Sequence, residues 1–251
     1  MSGKNQLHRL LAVETEKKNT ARVIVEETTN TFIKKQSHFE GHNRTYHKTL
    51  EDSDDFAPEL REVVDTVKGK IDHTVKSLIP AIDVLISKEE TNASGKVLAE
   101  LKVGDIDFGM LSATSLLQLE TQLKAIRKLY ISIPTLDPIK VWTKNNETDL
   151  YESDKEVTYK TIKKEEPLVL YPATKEHAAQ TKIMSVDRQA GTWEKYLKSG
   201  KLKPGIKSQL IERIDVLINA VKDARAVANM AEVVQVKVGK KLFDYINNDL
   251  I

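Results

Sequence analysis

The chain has 251 residues, 40% apolar and 30% charged, the proportions of an ordinary globular protein. Its formal net charge of +2 argues against a dedicated nucleic-acid or polyanion binder, which carries a strong basic excess. It has no cysteine, which excludes disulfides, thiolate zinc sites, iron–sulfur clusters and cysteine nucleophiles and fits a reducing compartment.

The first eighteen residues hold too short an apolar run for a signal peptide and turn charged at Glu14. No stretch approaches the ~20 apolar residues that span a bilayer. The expectation is a cytoplasmic protein with no membrane partner, in which the sequons at Asn43, Asn92 and Asn146 are chance matches.

Residues 5–34 read as helix in one or two pieces, from a stripe at Leu7, Leu10 and Leu11 and a second at Ala21, Ile24, Val25, Thr28 and Phe32. Residues 37–51 are polar, contain Gly41 and lack helical spacing, which predicts an irregular or extended segment. An acidic loop through Asp52, Asp54 and Asp55 reaches Pro58. Residues 59–89 present Leu60, Val63, Val67, Ile71, Leu78, Ile82 and Leu85 near one face of a long helix. Pro80 lacks the N–H of an interior turn, so a kink there or a strand before the helix is expected.

Residues 96–110 read as a hairpin turning at Gly104-Asp105. Ser112 to Ser115 offer N-caps for a helix whose seam is Leu116, Leu119, Leu123, Ile126, Tyr130 and Ile133, stopped by Pro134. Beyond it the helical period is lost. Short strands are predicted at residues 139–141, 150–151, 157–161 and 168–170, with a loop or helical turn at 173–180. Residues 181–198 read as a hairpin of two strands turning at Gln189–Gly191. The clearest element is the helix from Pro204 to Ala231, with Leu210, Ile214, Leu217, Val221, Ala224 and Ala228 on one seam. A strand at 233–238 and a closing helical turn at 240–247 complete the chain. The pattern predicts an α+β fold, long amphipathic helices packed with short antiparallel strands and hairpins, in a single domain over 1–251 with a soft division near 135.

Three groups of residues carry candidate chemistry. His38, Glu40, His42 and His47 offer imidazole and carboxylate donors to a divalent metal, although their spacing matches no known ligand signature. Asp187, Arg188, Trp193, Lys195 and Lys198 join a carboxylate–guanidinium pair to an aromatic and lysine run that could hold a nucleotide or nucleic acid. Lysines in such a run also protect an edge strand from aggregation, and the small net charge makes nucleic acid the weaker partner. Third, the two seams, at Leu116, Leu123 and Ile126 and at Leu210, Ile214, Leu217 and Val221, pack either inside the domain or between copies in a homo-oligomer. No Walker A loop, GxGxxG, GxSxG or HExxH motif occurs, and no catalytic residue can be assigned. The leading expectation is therefore a non-catalytic structural or interaction protein that self-associates through amphipathic helices. The alternatives are a metal-dependent hydrolase using residues 38–47 and a nucleotide or nucleic-acid binder using residues 187–207.

The run Leu7-His8-Arg9-Leu10-Leu11-Ala12-Val13-Glu14 resembles the opening of a family of uncharacterised bacterial or phage proteins of this length. The likeness continues through Ile133-Pro134-Thr135-Leu136, Thr181-Lys182-Ile183 and Ser185-Val186-Asp187-Arg188-Gln189 with Gly191-Thr192-Trp193, ending near Phe243. It implies a bacterial or phage origin and one full-length domain. It brings no activity, so no functional residue is carried over from it.

Overall fold

The computed structural model describes residues 7–93 and 98–229. The fold is mixed α+β. Among the described residues, four helices, α1 (Leu7–Lys34), α2 (Val67–Asn92), α3 (Ala113–Ile131) and α4 (Pro204–Ala228), accompany eight strands. The strands are β1 (Glu40–Lys48), β2 (Glu59–Arg61), β3 (Leu98–Val103), β4 (Ile106–Ser112), β5 (Trp142–Lys144), β6 (Tyr151–Ser153), β7 (Glu156–Tyr171) and β8 (Gln180–Ser199). Among the described residues no helix is long and apolar enough to cross a membrane. The chain forms two compact units. One gathers Ile82–Ile126 with the stretches before Glu16 and after Glu212; the other gathers Glu16–Ala81 and Arg127–Glu212.

In the first unit, β3 and β4 form the expected antiparallel hairpin, and Gly104 adopts the positive φ of +57° that its tight turn requires. Ala99 and Leu101 from this hairpin meet Leu116 and Leu123 of α3 and Ile218, Val221, Ala224 and Ala228 of α4 in one buried cluster. The three–four spacing of each seam creates this core, because it keeps successive apolar side chains on one helix face. Ser112 begins α3 as its cap, its hydroxyl oxygen accepting the Ser115 N–H at 3.3 Å while its own N–H reaches the Glu90 carboxylate at 2.8 Å.

The second unit is built on a six-stranded antiparallel sheet in the order β2-β1-β8-β6-β5, with β7 paired to β8. Phe32, Phe39, Val67, Leu129 and Ile133 form its buried apolar cluster. The hydroxyls of Thr28 on α1 and Thr74 on α2 meet at 2.8 Å in a buried pair.

Several elements decide between the sequence expectations or differ from them. Residues 40–48 take the extended alternative as regular strand, because the alternation Gly41, Asn43, Thr45, His47 against Glu40, His42, Arg44, Tyr46 serves the two faces of a sheet. Helix α2 begins at Val67 after strand β2, the strand-before-helix alternative of the sequence expectation, and continues through Pro80. The predicted turn at Gln189–Gly191 is absent: β8 runs unbroken from Gln180 to Ser199. Gly191 is a close-approach position rather than a turn, since a Cβ there would lie 2.2 Å from the Tyr46 ring. The predicted short strands at 157–161 and 168–170 are parts of one strand, β7, and residues 173–180 are the tip joining it to β8. The strand expected at 139–141 falls instead at β5. The expected strand at 233–238, the turn at 240–247, and Lys96 and Val97 of the hairpin lie outside the described residues.

Candidate functional site

Three adjacent strands, β2, β1 and β8, bring separated basic residues to one place. His42 stands directly opposite Arg61 of β2 on one side and Leu197 of β8 on the other, and Arg44 stands opposite Lys195. Directly opposed residues share a sheet face, with Cβ atoms ~5 Å apart and diagonal neighbours ~7–8 Å apart. Arg61, His42 and Lys195 therefore form a compact group on one face. They line a cavity of about 410 Å³ that also takes in Trp142, Asp137, Lys140, Leu197 and Lys201.

The charges around this cavity are unevenly matched. Lys201 pairs with Glu40 at 2.5 Å, and Lys140 pairs with Glu156. Lys198 borders the cavity, but the pleat turns its side chain to the other face, where its Nζ lies 3.9 Å from Glu152. Among the described residues, Lys195 and Arg61 have no carboxylate partner. Arg61 donates one N–H to the Ser37 carbonyl at 2.9 Å and keeps its remaining donors. The Asp137 carboxylate accepts the Ile139 N–H at 3.0 Å, and its carbonyl accepts the Trp142 indole N–H at 2.9 Å, which fixes the indole beside the cavity.

Next along the same face, Tyr46, Phe56 and Trp193 pack ring to ring, with centroids 5.0–5.7 Å apart. The Arg44 guanidinium lies 3.9 Å over Trp193 and the Lys160 ammonium 3.7 Å over Phe56, geometry for cation–π attraction. The Tyr46 ring occupies the space left by Gly191, and among the described residues its buried hydroxyl has no hydrogen-bond partner.

A second feature is the long β7–β8 ribbon. The pairing of β8 with β1 ends at Lys48 opposite Gly191; from Gln189 back to Gln180, β7 is its strand partner. This two-stranded arm leaves Leu168, Val169, Leu170, Tyr171, Ile183 and Met184 exposed, with Tyr171 67% and Ile183 68% accessible. Arg188 crosses to Glu166 with two hydrogen bonds of 2.8 and 2.6 Å. These bonds from the guanidinium hold the Glu166 carboxyl below its ordinary value.

The structure divides the sequence-derived candidates. Trp193 and Lys195 lie on the cavity face and Lys198 borders it, whereas Asp187 and Arg188 sit out on the arm. Glu40 and His42 share a face of β1; His47 points from the opposite one, toward Glu194 at 3.6 Å, and His38 precedes the strand in a 3₁₀ turn. Among the described residues, no three His, Asp or Glu side chains gather to hold a metal ion. Leu116, Leu123 and Val221 lie in the first unit's core with Ile214 and Leu217 packed against them, and Ile126 and Leu210 are half-buried. Arg61 and Trp142 escaped the sequence reading because sheet pairing, rather than sequence proximity, brings them to His42 and Lys195. The alternation of Glu40, His42, Arg44 and Tyr46 was the available signal.

A family model, described as a family of unknown function, DUF7873, matches residues 4–249, so the chain belongs to that family. The match agrees with the sequence resemblance at the level of an uncharacterised family covering residues 4–249. No curated protein and no solved structure matches the chain.

Proposed function

We propose that this member of the DUF7873 family, cytoplasmic and of bacterial or phage origin, is a non-catalytic interaction protein that assembles with copies of itself through the β7–β8 arm. The observation that supports this reading is the arm's exposed apolar side chains, Val169 and Ile183 on one face and Leu168 on the other. A two-stranded ribbon is marginally stable alone in water, and exposed apolar side chains on such a ribbon are characteristic of contact sites.

The magnitudes favour a reciprocal contact. Burying the exposed half of Val169 and Ile183 on one face contributes roughly 1 kcal/mol each, below the roughly 4–15 kcal/mol that association costs. A two-fold arrangement uses both arms and doubles the gain. The arm also carries both charge signs, Lys163, Lys164, Lys182 and Arg188 beside Glu165, Glu166 and Asp187, which suits a like chain better than a polyanion. With Leu116, Leu123 and Val221 engaged in the chain's own core, the arm is a better self-association surface than the helical seams.

The test is sedimentation velocity of the wild type and a Val169→Lys, Ile183→Lys double variant. These residues lie diagonally on one arm face and are already exposed, so the fold tolerates the change. The expected result is a wild-type oligomer and a variant monomer. Unchanged assembly in the variant would refute the arm's role.

A further inference from the structure

The cavity beside His42 has the composition of a ligand site, and its chemistry is independent of the arm. Its volume of about 410 Å³ falls within the range of small-molecule pockets. Two of its cationic side chains, Lys201 and Lys140, already hold carboxylates. Arg61 and Lys195 do not, and they flank His42 on neighbouring strands. Glu156 stands directly opposite Lys195 on β7 but bonds to Lys140, and with no carboxylate of the described residues within ion-pair distance of Arg61 or Lys195 the two cations gain from a bound anion. The guanidinium supplies a planar fork of donors, and the ammonium a point charge, the combination that suits a phosphate group. Trp142, anchored through its indole N–H, adds an aromatic wall.

We propose that this cavity binds a small phosphorylated molecule with a planar ring. Its phosphate is held by Arg61, His42 and Lys195, and its ring lies against Trp142. A nucleic-acid strand fits less well. Glu59 and Glu156 line the neighbouring hollow that shares His42 and Lys195, and Asp137 stands at the cavity itself. Carboxylates at these positions interrupt the basic track that a polymer backbone needs.

The experiment is a calorimetric titration of the full chain at low ionic strength with AMP, and in parallel with inorganic phosphate, adenosine and a short oligothymidylate. The expected result is saturable AMP binding, weaker binding of phosphate, and little of adenosine. Lys195→Met and Arg61→Leu should each weaken AMP binding about tenfold or more, the usual consequence of losing a charge-assisted contact. Trp142→Leu should weaken AMP and leave phosphate unchanged. Circular dichroism of each variant checks folding, and Lys182→Met on the arm serves as a charge-matched control that should bind AMP like the wild type. Absence of AMP binding at millimolar concentration would overturn the proposal. So would equal affinity in folded Lys195→Met and Arg61→Leu variants, or binding of the oligonucleotide alone.

Discussion

Gly191→Ala should destabilise the sheet through one side chain, Tyr46. The added Cβ would lie 2.2 Å from the Cζ and hydroxyl oxygen of Tyr46, where ordinary contact begins at 3.4 Å. The ring must therefore retreat by about 1 Å, against the limits of close packing. It is held between Phe56 and Trp193, both at centroid distances of 5.0 Å. Overpacking costs about 1–3 kcal/mol, and partial loss of two aromatic pairs adds up to ~1 kcal/mol. A destabilisation of about 1–4 kcal/mol is expected. The backbone itself does not demand glycine, because Gly191 is not among the residues with positive φ. In a Tyr46→Ala background, where the obstructing atoms are gone, Gly191→Ala should be neutral or stabilising by up to ~1 kcal/mol, since alanine is favoured over glycine within a strand. Urea denaturation of the four proteins, followed by tryptophan fluorescence, measures the cycle. An equal penalty in both backgrounds, or none in the wild type, would refute the reasoning.

Tyr46→Phe removes a buried hydroxyl that has no partner among the described residues and should stabilise the protein by about 1 kcal/mol in the same assay. The Thr28–Thr74 pair should respond asymmetrically. Thr74 donates to the Lys70 carbonyl at 2.8 Å, and a hydroxyl has one proton, so Thr28 is the donor to Thr74. Thr74→Val then strands the Thr28 hydroxyl and should cost about 1–3 kcal/mol, while Thr28→Val costs less; chemical denaturation of both variants decides. Glu120, 5% exposed, lies 2.6 Å from both Lys124 and Arg225. The Lys124 hydrogen bond, aided by the Arg225 charge and opposed by burial, holds its carboxyl below the ordinary 4.5. Because the folded-state value is depressed, this stabilisation is complete above about pH 4.5 and is lost as pH falls through the folded value. Glu120→Gln should lower the melting temperature at pH 7 and flatten its fall between pH 5 and roughly pH 3; an unchanged acid limb would contradict the assignment.

The helices were legible because their seams are periodic. Leu116 to Ile133 and Leu210 to Ala228 repeat at three and four residues, and that spacing leaves few alternatives to a core-facing helix. The hairpin at Gly104 was legible for a similar local reason. Strands β7 and β8 were not, because Gly191 looks like a turn residue in sequence. Its role becomes visible only when Tyr46, far away in the chain, is laid against it. The cavity was half legible. Lys195 and Trp193 stood out as part of a basic and aromatic run, and His42 as part of a histidine-rich stretch. Their union with Arg61 and Trp142 depends on the registers of β1 with β2 and β8 and of β5 with β6, and single-strand patterns do not encode those registers. At Pro80 the helix continues, because tertiary packing can offset a lost hydrogen bond that would break an isolated helix, and strand β2 precedes it as the sequence offered.

Native mass spectrometry of the freshly purified wild-type chain at micromolar concentration decides whether the arm joins copies of the chain. The predicted result is a discrete integral multiple of the chain mass that dissociates to single chains when Val169 and Ile183 are replaced by lysine. A wild-type protein that stays at the mass of one chain across the accessible concentration range would contradict it.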